Sequence, residues 1–186
     1  MDALEALHTR ISVNLLDKPG PTAAQIDNIV RAGLRACDHK NLRPWRYLLI
    51  EGEARTQLGK LLSETKETLD NVSLDSATRD KIEKKPLRAP TIIAVVAHIT
   101  ENPGVPKIEQ LLSAGASAQM MMTAAFAQGV GAIWRSGALM FERSLHKALG
   151  LHDNQELVGF LYLGSPKVSK PVPELNPDDF LTRWTG

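Results

Sequence analysis

IEQLLSAGASAQMMMTAAFAQGVGAIWRSG, residues 108–137, carries no charged side chain between Glu109 and Arg135. Ala, Met, Leu and Gln favour helix through it until Gly129-Val130-Gly131 stops the run. A bilayer span needs roughly 20 predominantly apolar residues. Here Ser113, Ser117, Gln119, Thr123 and Gln128 interrupt the run, so the better reading is a central helix buried on nearly all sides inside a soluble protein. Ala114, Gly115 and Ala118 lie at a small-residue spacing that lets another backbone come close, and Met120, Met121 and Met122 are pliable fillers. A chain of 186 residues can hardly surround such a helix alone, so a second subunit is expected to help bury it.

Directly after the helix the pattern changes to a short strand, 131–134, and then to Arg135-Ser136-Gly137. An arginine and a hydroxyl at the carboxyl end of a buried strand are suited to gripping an anion. On this stretch alone they equally suit a plain strand end at the surface.

Composition narrows the function classes. The balance of 22 basic against 21 acidic residues, with no basic run, argues against a nucleic-acid or acidic-lipid partner. One cysteine, Cys37, permits no intrachain disulfide and fits a reducing cytoplasm. Five histidines, His8, His39, His98, His146 and His152, fall at no recognised metal spacing, so no metal is expected. The opening residues Met1-Asp-Ala-Leu-Glu5 read as a helix capping box rather than a signal sequence. The length suits one domain over residues 1–186, expected outside any membrane.

Along the chain, Asp2 and Glu5 cap a helix with Leu4, Leu7 and Ile11 on one face, delivering Arg10 and Ser12 to its end. Thr22 and Gln25 form a second capping box before Ile26, Ile29, Val30, Gly33, Leu34 and Cys37 at helical spacing. WRYLLIE, 45–51, and TIIAVVAHI, 91–99, read as strands buried on both faces, and ELVGFLYL, 156–163, as a further strand. Leu58, Leu61, Leu62, Thr65 and Leu69 mark an amphipathic helix. Residues 70–85, the most charged and least patterned part, read as a mobile helical excursion able to act as a lid. Pro103-Gly104 and Pro106 break the chain before the central helix. The proline-rich tail after Pro166 carries Phe180, Leu181 and Trp184, too apolar for a free tail, so it is expected along its own domain or a neighbour's. Strands alternating with helices give a layered α/β arrangement in which mixed strand order stays open.

No Gly-x-Ser-x-Gly, Walker loop or His-Glu-x-x-His is present. Three polar stations remain, each beside an apolar segment: Arg10 with Ser12, Arg35 with His39, and Arg135 with Ser136. A phosphate monoester carries nearly two charges, and a site for one needs about this many donors, with arginine forks favoured.

Four stretches taken in order, MDALEALHTRIS, RAGLRACDHKNLRPWRYLLIEGEAR, EQLLSAGASAQMMMTAAFAQGVGAIWRSGAL and ELVGFLYLGSP, resemble the nitroreductase family, closest to its minimal members. The combination is specific, though no single piece is. The resemblance implies an α+β fold with a central mixed β-sheet flanked by helices, a long buried central helix, and an intertwined homodimer with FMN at the subunit interface. It carries the flavin phosphate and ribityl contacts to Arg10, Ile11 and Ser12, and further flavin contacts to Trp134, Arg135 and Ser136. Arg35 and His39 would reach the flavin of the opposite subunit. NAD(P)H would lie on the end of the long helix, at Ala125, Phe126, Ala127, Gln128, Gly129 and Val130. Three positions depart from the family pattern: Ile11 stands where an arginine is usual, which removes one charge from the phosphate site, Cys37 replaces a proline, and Arg43 replaces a glutamine. The implied activity is ping-pong transfer of electrons from NAD(P)H to a small organic acceptor, nitroaromatic or quinone-like, with no side chain standing out as a general acid. The alternative is an FMN-binding protein that stores or senses the cofactor without turnover.

Overall fold

The computed structural model describes residues 1–102 and 104–186. Both capping boxes form. At the start of α1 (Ala3–Thr9), the Asp2 carboxylate accepts from the N–H groups of Leu4 and Glu5, and Glu5 accepts in return from the Asp2 N–H. At the start of α2 (Ala23–Gly33), Thr22 and Gln25 exchange the same pair of bonds. These local bonds satisfy helix donors that have no partner inside the helix. The chain break expected at Pro103 lies outside the described residues.

Five strands make the sheet: β1 (Leu16–Asp17), β2 (Trp45–Glu51), β3 (Thr91–His98), β4 (Gly131–Arg135) and β5 (Gln155–Pro166). The last strand in sequence is central in space. Leu163 of β5 faces Thr91 of β3 on one side and Ala132 of β4 on the other, and Tyr162 likewise faces Ile92 and Ile133. β2 lies beyond β3, and β1 adds two residues at the end of β5. Every pairing among the described residues is antiparallel, so the architecture is α+β rather than the α/β layering suggested by strand–helix alternation. β3 and β4 run the same way but do not pair, because β5 lies between them.

Period-two alternation divides the continuous apolar strands between two cores. Ile92, Ala94, Val96, Phe160 and Tyr162 face one, against α3 (Ala54–Asp70), α4 (Ser76–Glu83) and α6 (Arg143–Ala148). Ile93, Val95, Leu161 and Leu163 face the other, against α2 and α5 (Lys107–Ala127).

α5 is the helix read from residues 108–127, and this chain covers one side of it. Ala114, Ala118 and Ala125 are fully buried with Met121, while Ile108 and Leu112 on the far side are 60% and 65% exposed. Gly33 of α2 sits where a Cβ would press on Met121, on Ser117 and on the hydroxyl of Tyr47 from β2, which meets Ser117 Oγ at 2.5 Å. Among the described residues, no helix is long and apolar enough to cross a membrane.

The charged excursion is ordered and packed. Asp75 caps α4, Ile82 is buried, and Arg79 reaches back to Glu67 of α3 at 2.5 Å. Glu67 also accepts from the Leu74 N–H, and this bond, with Arg79, holds its carboxyl below the usual range. α3 and α4 meet at Gly59, where any side chain would collide with the Glu83 carbonyl. The excursion is therefore a fixed wall. The tail behaves otherwise: Val168 packs on the first core, but Phe180, Leu181 and Trp184 point outward, Trp184 being 89% exposed. Its apolar anchors do not lie along the chain's own body.

Candidate functional site

The site grows from the end of β4. The Val13 N–H donates to the Ala132 carbonyl at 2.9 Å, which draws the segment after α1 alongside this strand. Arg10, half-buried, closes α1 by donating its N–H to the Ala6 carbonyl; Ile11 is half-buried against the first core and Ser12 is exposed. Along β4, neighbouring side chains point to opposite faces. The Trp134 ring lies across Gly159, where a Cβ would strike its indole nitrogen, and reaches Gly115 of α5. Arg135 turns to the other face, with its guanidinium carbon 5.6 Å from the centroid of the Tyr162 ring, a cation–π distance. Its Nε is buried and has no hydrogen-bond partner among the described residues. Ser136 and Gly137 follow, exposed, with Gly137 in a positive-φ conformation (136°) that only glycine adopts readily.

Arg135 opens into a cavity of about 510 Å³. Leu62 and Lys66 of α3, Ile82 of α4, the 3-10 turn Lys85–Arg88, the segment 134–140, and Phe160 and Tyr162 of β5 surround it. Among the described residues, no acidic residue lines it. Lys66 is paired with Asp70 at 2.6 Å, whereas Lys85, Arg88 and Arg135 have no carboxylate partner among the described residues. Burial lowers the Lys85 ammonium below its ordinary value, and the like charges of Arg88, Lys81, Lys66 and Arg135 push in the same direction. Burial raises the Tyr162 phenol. Apolar walls with uncompensated positive charge suit a flat, largely apolar ligand bearing negative charge.

A second cavity, of about 360 Å³, lies beside it in sequence terms, bounded by Ile11, Val13, Phe126, Gly129, Val130 and Lys167 among others. Lys167 is bonded to Asp17 at 2.7 Å.

The residues singled out from sequence thus fall into groups. Trp134, Arg135 and Ser136 share the first cavity; Ile11, Phe126, Gly129 and Val130 share the second. Arg10 and Ser12 line neither, but run beside β4 through the Val13 bond. Ala125 is fully buried, Ala127 is exposed, and Gln128 is engaged with Asn28 and with the carbonyls of Gln25 and Ala124. Arg35 and His39 stand apart from both cavities, exposed, with His39 Nδ1 2.7 Å from Glu109 at the start of α5. The turn that carries them is strained: Lys40, Asn41 and Arg43 all take positive φ, at 58°, 54° and 51°, and the Arg43 N–H is held by Asp38 at 2.6 Å. The Arg43 side chain is exposed in this chain, as is Cys37.

Lys85 and Arg88 were not singled out by sequence reasoning. The only signal was the run Lys84-Lys85-Pro86-Leu87-Arg88 immediately before a buried strand, which sets cations at a strand entrance.

This geometry has counterparts. Over 184 residues the chain is 44% identical to the Escherichia coli protein named "Putative NAD(P)H nitroreductase YdjA", covering 98% of this chain and 99% of that one. The crystal structure of a nitroreductase-like family protein from Bacillus cereus matches with a TM-score of 0.81 at 22% identity, over 100% of this chain and 97% of the other. A Desulfovibrio desulfuricans protein crystallised in complex with FMN matches at 0.75 and 20% identity, over 100% and 98% of the two chains. At those identities the two structures speak for the fold. The family model described as "Nitroreductase family" matches residues 8–165, which span all five strands except the last residue of β5, and with it the chain is placed as a member of the Nitroreductase family.

Proposed function

We propose that this chain is a single-domain, FMN-dependent oxidoreductase that passes electrons from NAD(P)H to a small organic acceptor, working as a homodimer. The observation that carries it is the cavity at the end of β4, where Arg135 presents a buried, unpartnered Nε beside apolar and aromatic walls in a member of this family. The name of the Escherichia coli relative, an NAD(P)H nitroreductase, and the FMN complex of the Desulfovibrio desulfuricans structure support the reading.

FMN fits these residues: its phosphate asks for charged and hydroxyl donors and its ring for an apolar slot. Arg10 and Ser12 would hold the phosphate and ribityl end, and Trp134, Arg135 and Ser136 the ring side, joined by Arg35 and His39 of a second copy. Bound there, FMN supplies two-electron chemistry that no side chain provides. The chain's own part is to bind, orient and exclude water. Phe160, Tyr162 and Met140 exclude water from one wall, and the positive charge of Arg135 favours negative charge in the slot. NAD(P)H would approach over Phe126, Gly129 and Val130, at the end of α5. Donor and acceptor would occupy one face in turn, giving ping-pong kinetics.

The test is the absorption spectrum of the purified protein, followed by release and identification of any yellow compound. Anaerobic NADPH or NADH is expected to bleach it within seconds; a flavin that stays oxidised would point to storage or sensing. Arg10→Ala and Arg135→Ala should each weaken flavin retention by about 1.5–3 kcal/mol, the value of a hydrogen bond to a charged group. Unchanged retention in both would remove these site assignments.

A further inference from the structure

Lys85 and Arg88 sit on the wall of the first cavity built by the turn after α4, an element that carries none of the residues assigned to the cofactor. Among the described residues neither has a carboxylate partner and no acid lines the space they face. Opposite them stand Leu139, Met140, Phe160 and Tyr162. We propose that Lys85 and Arg88 select the electron acceptor: the preferred acceptor is an aromatic anion, its carboxylate or equivalent group on these two cations and its ring in the part of the same cavity that the cofactor leaves open. The acceptor role rests on the oxidoreductase reading above, but binding of the anion does not.

Two properties of the wall support this. Lys85 is half-buried and Arg88 exposed, and an incoming carboxylate relieves the repulsion between such like charges while a neutral isostere does not. The depressed Lys85 ammonium reflects that burial and repulsion, and an anion would draw it back toward its ordinary value. Second, the backbone that carries them is braced: α4 lies close on α3 at Gly59 and is tied to it by Arg79 on Glu67, so the turn after α4 starts from a packed element. The anionic group takes no part in the electron transfer. For a nitroaromatic acid, NAD(P)H gives a hydride equivalent through the cofactor and solvent gives a proton. The nitro group loses one oxygen as water and becomes nitroso, leaving NAD(P)+ and an unchanged carboxylate.

Benzoate and benzamide, matched in shape and differing in charge, separate the possibilities by calorimetry on the protein as purified. Benzoate is expected to bind at least about tenfold more tightly, the worth of one charge-assisted bond. A Lys85→Gln, Arg88→Gln double variant should lose that preference and keep its flavin, while Lys85→Arg, Arg88→Lys should keep both, which separates lost charge from lost folding. In turnover, 4-nitrobenzoate should be preferred to 4-nitrobenzamide through KM, and the Gln variant should erase the difference with kcat little changed. Equal binding of benzoate and benzamide would overturn the proposal. So would loss of flavin from the Gln variant with the benzoate preference intact, because the two cations would then serve the cofactor. A colourless protein that still prefers benzoate would uphold the anion site and end the oxidoreductase reading.

Discussion

At the scale of single residues, the cavity wall shows a conflict between stability and use. The folded state lowers the Lys85 ammonium below its usual 10.5, chiefly by burial. While both folded and unfolded chains carry the proton, the folded state bears the whole penalty. As pH rises through the folded value the native state sheds its proton first, and the penalty disappears above the unfolded value. Lys85→Met is therefore expected to melt at a higher temperature than the parent at pH 7, with the gap closing as pH approaches 10.5; thermal melts across that range check it. A gap that widened with pH would contradict the sign. This residue also marks a limit of reading from sequence. Arg135 was visible because it follows an uncharged run of 25 residues and so stands out, whereas Lys85 lies in a stretch where about every second residue is charged and nothing distinguishes a cation facing a cavity from one facing water. The Asp2 and Thr22 caps were fully legible, since their partners are three residues away.

Among elements, strands 45–51, 91–98 and 131–135 were readable from β-branched and aromatic runs, but their direction was not. TIIAVVAH is buried on both faces, and such a run looks the same beside a parallel or an antiparallel neighbour. Only the insertion of β5 between β3 and β4 settles it, and that is a long-range fact. The junction of α3 with α4 was also hidden, because a glycine in a helical pattern reads as a weak position rather than as a contact. Gly59→Ala should push α4 away from the Glu83 carbonyl at a cost of about 1–3 kcal/mol, typical of overpacking. Urea denaturation measures that, and an unchanged midpoint would mean that α4 slides without penalty. Because Ile82 and Lys85 ride on or beside this helix, the same variant should widen the cavity.

For the whole molecule, the uncharged helix implied more burial than one chain supplies, and the structure leaves the difference on view at Ile108 and Leu112, about as exposed as Leu4 and Leu7, at the less exposed Met120, and at Phe180, Leu181 and Trp184 in the tail. Exposed apolar residues in such number mark an interaction surface. Leu112→Asp, which buries a charge if that face is covered by a second copy, should shift the protein from dimer to monomer in light scattering and lower its melting temperature. A dimer that tolerates the charge would place the interface elsewhere. The position of β5 has a separate consequence for biogenesis. The strand that completes both cores is the last to leave the ribosome, so β3 and α5 emerge long before the neighbour that shields them. Until residues 155–166 have been made neither core can close, and the apolar faces of β3 and α5 stay uncovered for that interval.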